Sequence, residues 1–491
     1  MNKRSGNIAG RYYGYIYSHK PMKNICFLIL ILVFGHCGAQ IKNNGFEKFE
    51  SWVIKGSADF VAGIDSVTKN SGAGALKIKS VKDQVSGTII FSQEVAYRTD
   101  SLKVINLSFF IKTINTSGTP VIWCEAKDHS GKVVGFANSE MQGVDLKGTN
   151  NWKKYSIKLI VSKQVSNLVI GGYQKSTGEV WFDDINIADE PFLSNPDSDL
   201  LSYASEVKNH IKNSSLFRSS INWNQIDADI NNLMRAINMQ DADLLNQYFI
   251  QELRNVGDMH SQFQNKMQAD NYASKNIVVE KPKAELLKNG IAYLYVPGFG
   301  STNSQVMNKF ADTIQHLIRK LDTENDIKGW VVDLRRNFGG NMFPMIAGLG
   351  PLTGTGNLGY FEGDGYYAWR YEKNGVCKSV KVDNPYTLKA KTPKIAILVS
   401  STTASSGEMT AISFIGKKNT RLFGQPTGGY ITSNSSIRLS NGAMLFLATT
   451  YVSDRNKKKY MTKIIPDVVV EEVEGSDKEL DKASEWIYEN K

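Results

Sequence analysis

Residues 393–414, PKIAILVSSTTASSGEMTAISF, carry the pattern that decides the fold of the C-terminal part of the chain. The β-branched run Ile395–Ser400 predicts a buried strand, and the segment Glu408–Phe414 predicts a helix. Two serines, Ser405 and Ser406, lie between them. Serines at such a junction commonly cap the helix with their hydroxyls. A serine presented at a strand-to-helix turn is also the arrangement of a nucleophile.

Strands and helices alternate on both sides of this junction, over residues 285–472. GIAYLYVPGF (290–299) and IKGWVVDLR (327–335) predict strands, and the amphipathic segment between them (304–322) predicts a helix. This order predicts an α/β core in which a sheet is flanked by helices. A C-terminal helix is predicted over residues 476–491.

The chain before this core has two further patterns. In residues 41–190, short segments alternate apolar and polar residues between Gly, Asn, Asp and Ser turns, which predicts an all-β sandwich. Residues 191–199 contain two prolines and read as a linker. In residues 200–275, apolar residues recur every three or four positions, which predicts a small helical bundle. The predicted fold class is therefore multidomain.

Residues 1–39 predict a leader and a signal peptide. Lys23 precedes an apolar run over residues 25–35, and small residues after Cys37 place the cleavage before Gln40. This run is too short to span a bilayer comfortably, and no other segment predicts a transmembrane helix. The chain is therefore expected to be exported to the periplasm, the cell surface or the medium. A lipid anchor on Cys37 is the alternative.

The charge of the exported chain bears on two classes of partner. The whole sequence has 58 basic and 48 acidic residues, and five basic but no acidic residues precede Gln40. The small remaining excess predicts neither a nucleic acid partner nor an anionic membrane. Of the four cysteines, Cys124 and Cys377 remain, and their separation predicts free buried thiols.

Three loops hold the residue types that acyl transfer requires. His260 lies in the loop GDMHSQF after a predicted helix, whereas His210 and His316 fall in helical patterns and His129 lies in a turn of the β region. Gly339 and Gly340 follow a buried strand, where they bring backbone N–H groups to a ligand or form a tight turn. Together with Ser405 they supply a base, oxyanion donors and a nucleophile. Because no HxxxH, CxxC or Walker spacing occurs, no metal or organic cofactor is expected for catalysis.

Four segments in order resemble the successive signatures of the tail-specific, or C-terminal processing, serine peptidases, over roughly residues 285–472. They are IKGWVVDLRRNFGGN (327–341), ILVSSTTASSGEMTAISF (397–414), LFGQPTGGYITSN (422–434) and IIPDVVV (464–470). The resemblance implies that Ser405, which follows Thr-Ala in TASxxE, is the nucleophile. It also implies that the amide of Ser406 and one from Gly339 or Gly340 form the oxyanion hole.

The base departs from the commoner pattern of that family. Members with a Ser-Lys dyad carry Lys after the glycine of GxPTxGK, where this chain has Tyr430, and a phenol with a pKa near 10 is a poor base at neutral pH. No PDZ-like insertion is present either. Both features resemble the tricorn-core branch, in which His is the base. GDMHSQF is similar to its DGHS loop, with Met259 in place of Gly, which implies that His260 is the general base.

The sequence does not decide which group orients His260. Glu408 is favoured because it is close to the nucleophile in sequence, although an acidic residue in a first helical turn also interacts favourably with the helix dipole. Asp258 and Ser261 adjoin His260 and either orient it or cap its loop. The glutamate that the tricorn-core branch places before its final Pro-Asp has no match in KKYMTKIIPD.

Residues 41–190 resemble the jelly-roll carbohydrate-binding modules. The resemblance implies that Glu47 and Asp184 hold a structural calcium, with turn capping as the alternative. It also implies a glycan ligand, on which Trp123 stacks unless it belongs to the core. The alternative is a domain that only docks against the next one or spaces it. The matching segments are NNGFEKFESW (43–52), NSGAGALKI (70–78), KGTNNWKKYSI (147–157) and GEVWFDDINI (178–187).

The sequence thus predicts an exported serine peptidase that cleaves peptides or proteins through an acyl-enzyme on Ser405, with His260 as base. One alternative is a catalytically degenerate binding protein with a glycan-binding module, because the Lys and the terminal Glu are missing. The other is an esterase or amidase that uses the same Ser-His pair.

Overall fold

The computed structural model describes residues 41–363 and 365–489, so the predicted leader and signal peptide (1–39) lies outside the described residues. The N-terminal strands are β1 (Val53–Gly56), β2 (Phe60–Asp65), β3 (Ala75–Ser80), β4 (Ile89–Ala96), β5 (Lys103–Thr116), β6 (Val121–Asp128), β7 (Val133–Asn138), β8 (Gly148–Val161), β9 (Val165–Gln174) and β10 (Glu179–Asp189). The elements that follow are α1 (Ser198–Ser214), α2 (Trp223–Leu233), α3 (Ala242–Asn255), β11 (Gln262–Gln264) and α4 (Lys266–Tyr272).

The C-terminal part alternates strands and helices. Its elements are β12 (Lys283–Leu286), β13 (Ile291–Tyr295), α5 (Ser304–Glu324), β14 (Gly329–Asp333), α6 (Met342–Gly348), α7 (Gly350–Thr353), β15 (Gly356–Glu362), β16 (Tyr366–Tyr371), β17 (Val376–Cys377), β18 (Val380–Lys381), β19 (Ile395–Val399), α8 (Ser406–Ile412), β20 (Thr420–Gly424), β21 (Thr432–Arg438), β22 (Met444–Asp454), β23 (Lys459–Tyr460), β24 (Val468–Val469) and α9 (Lys478–Tyr488). The predicted multidomain fold class is confirmed.

The N-terminal strands form two five-stranded antiparallel sheets. Their orders are β1-β4-β9-β6-β7 and β2-β3-β10-β5-β8. In β4 the burial alternates residue by residue, because one face of the strand packs on the core and the other faces solvent. Aromatic rings fill the space between the sheets, with Phe91 4.7 Å from Phe182 and 6.4 Å from Phe109 between centroids. The predicted all-β sandwich therefore has its core between these sheets.

The helices α1, α2 and α3 share one apolar core with both neighbouring regions. Tyr203 of α1 and Phe249 of α3 are buried in it, together with Val104 of β5 and Leu445 of β22. The helices thus connect the sandwich to the C-terminal sheets.

Cys124 and Cys377, which the sequence predicts to be free buried thiols, are both buried and unpaired. No helix within 41–363 and 365–489 is long and apolar enough to cross a membrane.

The C-terminal part is built on the sheet β12-β13-β14-β19-β20-β24. From β13 onwards its strands are parallel, and every residue of β14 and β19 is buried. Because parallel strands end at the same edge of a sheet, the loops after β13, β14, β19 and β20 meet there. Hydrogen bonds join these loops: Phe299 N–H donates to the Gly339 carbonyl and Ala404 N–H to the Asn337 carbonyl.

A second sheet contains β11, which belongs to the segment before the α/β core. Its path is β11-β22-β15-β16, and β21 pairs with β22 along most of its length. β11 begins two residues after His260, and β21 begins at Thr432. Both strands pair with β22, so this sheet carries His260 and Thr432 to the same region.

Candidate active site

Ser405 lies between β19 and α8 in a strained backbone conformation. Its φ of 53° and ψ of −120° are rare for a residue with a side chain, and such strain is concentrated at functional sites. α8 begins at Ser406, two residues before the predicted start at Glu408. Ser405 therefore occupies a sharp strand-to-helix turn, which is the geometry of a nucleophile elbow.

The imidazole of His260 lies between two hydroxyl groups. Its Nε2 is 2.9 Å from Ser405 Oγ, and its Nδ1 is 2.8 Å from Thr432 Oγ1. If Nδ1 carries the proton and donates it to Thr432, the Nε2 lone pair faces the serine hydroxyl, as a general base requires. Asp258 shapes the loop, because its Oδ1 accepts the N–H groups of His260 and Ser261.

Burial keeps His260 neutral. The surrounding protein disfavours the charged imidazolium and lowers the pKa of His260 to about 4, although the charge of Asp258 acts in the opposite direction. Since the neutral form is the one that accepts a proton, this side chain is available as a base throughout the neutral pH range.

The prediction that Glu408 orients His260 is wrong. Its carboxylate is fully buried and accepts the N–H groups of Ser405, Gly429 and Tyr430, each at 2.9 Å, as well as the hydroxyl of Thr427. Both oxygens thus bind the backbone around the nucleophile, and Thr432 takes the position at Nδ1. Glu408 fastens the loop after β20 to the nucleophile elbow.

The two glycines after β14 are not equivalent. Gly339 N–H donates to Asn337 Oδ1 at 3.0 Å, so the predicted role of Gly339 as an oxyanion donor is contradicted because its N–H is already used. A side chain at Gly339 would begin 2.8 Å from Ser405 Cβ, so only glycine fits this close approach. Gly340 stays a predicted donor. Ser406 is the first residue of α8, where an N–H has no partner within the helix.

Two residues of the site were missed in the sequence. Thr432 stands in ITSN without any periodic signal, and only the pairing of β21 with β22 brings it to His260. Asn337 is fully buried and holds Gly339 N–H and the Val296 carbonyl with its side chain. The sequence signal that could have identified Asn337 is its position directly before the Phe-Gly-Gly turn.

Comparison with known families agrees with this geometry. Residues 290–470 match the family described as Peptidase family S41. This part of the chain is a peptidase S41 domain. The matched segment contains Ser405, Glu408 and Thr432, whereas His260 precedes it. The predicted resemblance to the C-terminal processing serine peptidases is confirmed.

Relatives of the S41 domain are found among curated proteins and solved structures. A nisin-resistance protein of Lactococcus lactis subsp. lactis is 32% identical over 213 residues, which make up 42% of this chain and 63% of that protein. An uncharacterized HTH-type transcriptional regulator, YbfP of Bacillus subtilis (strain 168), is 30% identical over 143 residues, 28% of this chain and 48% of that protein. This chain thus spans less than two thirds of either relative.

One solved structure shares the fold over a larger part of this chain. A lipoprotein from Streptococcus agalactiae is 26% identical, with a TM-score of 0.51, over 61% of this chain and 98% of that chain. The likeness therefore takes in nearly the whole of that lipoprotein and extends over more residues than the S41 match itself covers.

The carboxylates predicted to bind calcium lie outside the S41 domain, against the sandwich segment 70–74. Glu47 accepts Gly74 N–H at 3.1 Å, and Asp184 accepts the side chains of Asn70 and Ser71 at 2.7 Å. In the part of the chain that the structure describes, no group of three or more His, Cys, Asp or Glu residues is placed to share an ion. Calcium prefers carboxylate oxygens, and the site stays a prediction.

Proposed function

We propose that this protein is a serine peptidase that cleaves peptide bonds through an acyl-enzyme on Ser405, with His260 as general base. The observation that carries the proposal is the 2.9 Å separation between His260 Nε2 and Ser405 Oγ, in a chain with a peptidase S41 domain. A hydroxyl and a neutral imidazole at hydrogen-bond distance are the minimum for activating a serine.

The proposed reaction has two halves. His260 takes the hydroxyl proton as Ser405 Oγ attacks the carbonyl carbon, and the N–H groups of Gly340 and Ser406 receive the developing oxyanion. The imidazolium then gives its proton to the leaving amine. In the second half, water attacks the acyl carbonyl with His260 again as base, and the imidazolium returns the proton to Ser405 Oγ as the acid product leaves. Thr432 holds the ring throughout, as a positioning residue at Nδ1.

This geometry argues against the first alternative, a degenerate binding protein, and does not distinguish the second, an esterase or amidase, from a peptidase. The degenerate binding protein was motivated by the missing Lys and terminal Glu, and both roles have substitutes here: His260 stands at the serine and Thr432 at the imidazole. An esterase or amidase uses the same groups. A peptide library tested beside simple aryl esters separates it from a peptidase, because an esterase hydrolyses the esters and leaves the peptides intact.

A fluorophosphonate probe tests for an activated serine. We expect the chain without its predicted leader to be labelled covalently on Ser405, as mapped by mass spectrometry of the peptides, and Ser405→Ala to remain unlabelled. Ser205→Ala is the control and should be labelled like the unsubstituted chain, because Ser205 is an exposed serine of α1 outside the loops of the site. A folded chain that the probe leaves unmodified would contradict the proposal.

We also propose that the chain is exported. Lys23 and the apolar run over residues 25–35 support this, together with the likeness to a streptococcal lipoprotein.

A glycan ligand is proposed for the outer face of the sheet β1-β4-β9-β6-β7. Trp123 is half-buried on this face, and its neighbours in register are Gly171 on β9 and Asn138 on β7. Glu125 and Tyr173 lie on the same face, two residues away along their strands. An aromatic ring beside polar groups suits the apolar face and hydroxyls of a sugar.

Binding to polysaccharides tests this face. We expect Trp123→Ala to abolish retardation in gels that contain the polysaccharide bound by the unsubstituted protein, because stacking on the indole is lost. Phe49→Ala is the control, since Phe49 is an exposed aromatic residue outside this face. Equal retardation of Trp123→Ala and the unsubstituted protein would exclude this face as the binding site.

A further inference from the structure

Three large apolar side chains are exposed directly beside the catalytic groups. Met259 is 62% exposed, Phe338 is 67% exposed and Tyr430 is 40% exposed. Met259 precedes His260, Phe338 precedes Gly339, and the Tyr430 ring lies 5.7 Å from the His260 ring at an angle of 60°. We call these three residues the apolar rim.

The rim belongs to this chain rather than to the family pattern. Met259 and Tyr430 stand where the resembled motifs have Gly and Lys. The three residues come from three separate loops, and each loop also carries a group at the proposed site or, in the case of Tyr430, a ring beside the imidazole. Exposed apolar groups that cluster at a site indicate a surface that is covered when a partner binds.

The backbone of the rim is fixed before any substrate arrives. Asp258 binds His260 N–H, Asn337 binds Gly339 N–H, and Glu408 binds Tyr430 N–H. A buried polar side chain therefore fixes the backbone of each rim residue or of the residue that follows it. A preorganised apolar surface binds at a lower cost in conformational entropy than a mobile one.

The direction of the reaction assigns the rim residues to two sides of the scissile bond. His260 protonates the leaving amine, so the residue after the scissile bond passes over the imidazole, beside Met259 and Tyr430. The oxyanion belongs to the acyl carbonyl, so the residue before the bond lies next to Gly340 and therefore near Phe338.

We propose that the site selects peptides with large apolar side chains on both sides of the scissile bond. Met259 and Tyr430 contact the residue after the bond, and Phe338 contacts the residue before it. This inference rests on the proposed peptidase function and adds the substrate class to it.

Peptides of constant length that differ only at the two flanking positions test the selection. We expect kcat/KM to be at least about tenfold higher for Leu or Phe than for Ser or Asp at either position, which is the usual scale of discrimination by an apolar pocket. Met259→Gln should lose about tenfold on peptides with Leu after the bond, and Phe338→Gln about tenfold on peptides with Phe before it. Each variant should lose less on peptides with Ser at the same position, because a small polar side chain makes little apolar contact with the rim.

Met267→Gln is the matched control, because Met267 is 80% exposed and lies on α4, away from the three loops. It should leave all these rates unchanged. If the unsubstituted enzyme is labelled and cleaves polar and apolar peptides equally well, the rim proposal is overturned and the peptidase proposal stands. If the enzyme is not labelled, the peptidase proposal fails and the rim proposal fails with it.

Discussion

Replacing His260 with Ala is expected to lower kcat by about 10⁴-fold or more, because the Ser405 hydroxyl then has no base within hydrogen-bond distance. The thermal unfolding midpoint should change little, because the imidazole bonds to the hydroxyls of Ser405 and Thr432 and the loss of such a neutral hydrogen bond costs only about 1 kcal/mol. Turnover of a cleaved library peptide and thermal unfolding are the two measurements. His316→Ala serves as control, because His316 is exposed on α5. A His260→Ala enzyme with more than a tenth of the original kcat would rule out this base.

The pH dependence of the unsubstituted enzyme reports on the same imidazole. Burial lowers the pKa of His260 to about 4, so the base is protonated, and activity is lost, only when the pH falls through that value. The acid limb of kcat/KM should therefore lie near pH 4, whereas an ordinary histidine places it near pH 6.5. If the acid limb of kcat/KM instead lies near pH 6.5, the imidazole is well solvated in the free enzyme.

Replacing Glu408 with Ala is expected to have the largest effect on stability. The substitution leaves the N–H groups of Ser405, Gly429 and Tyr430 without their acceptor in a buried place. Each buried donor left without an acceptor costs about 1–3 kcal/mol, so the free energy of unfolding should fall by about 3 kcal/mol or more. The rate of fluorophosphonate labelling should fall as well, because Glu408 holds the nucleophile turn.

Urea unfolding of two further variants tests the cause. Glu408→Gln keeps the side-chain volume and one acceptor oxygen, so it should lose less stability than Glu408→Ala. Glu485→Ala is the control on α9, where the side chain is 54% exposed, and should change the free energy of unfolding by less than about 0.5 kcal/mol. A Glu408→Ala protein within about 1 kcal/mol of the original would mean that water replaces the carboxylate.

The sequence predicted the layers of the fold because their periodicities are local. The run through Ile395 and Val399 is apolar without a break, and β19 is buried throughout. Burial alternates along β4 as it does in a strand with one solvated face. Both signals are set by neighbouring residues in one segment, so a single sequence is sufficient to find them.

The contacts of the site depend on long-range pairing that periodicity does not reveal. His260 and Ser405 are 145 residues apart, and β11 and β22 are needed to bring the first to the second. Glu408 was assigned to His260 because the TASxxE spacing shows that it is near Ser405, but not which way its carboxylate points. The choice between Gly339 and Gly340 required the position of the Asn337 side chain.

The position of His260 has a practical consequence for anyone who wishes to produce the smallest working enzyme. The family match begins at residue 290, yet the imidazole comes from residue 260 and is carried in by β11. A fragment cut at the match boundary would keep Ser405 and lose His260, the base that we propose for it. The segment needed for the proposed Ser405–His260 pair is therefore longer than the segment that matches the family, and truncation should start ahead of the helices that share their apolar core with β22.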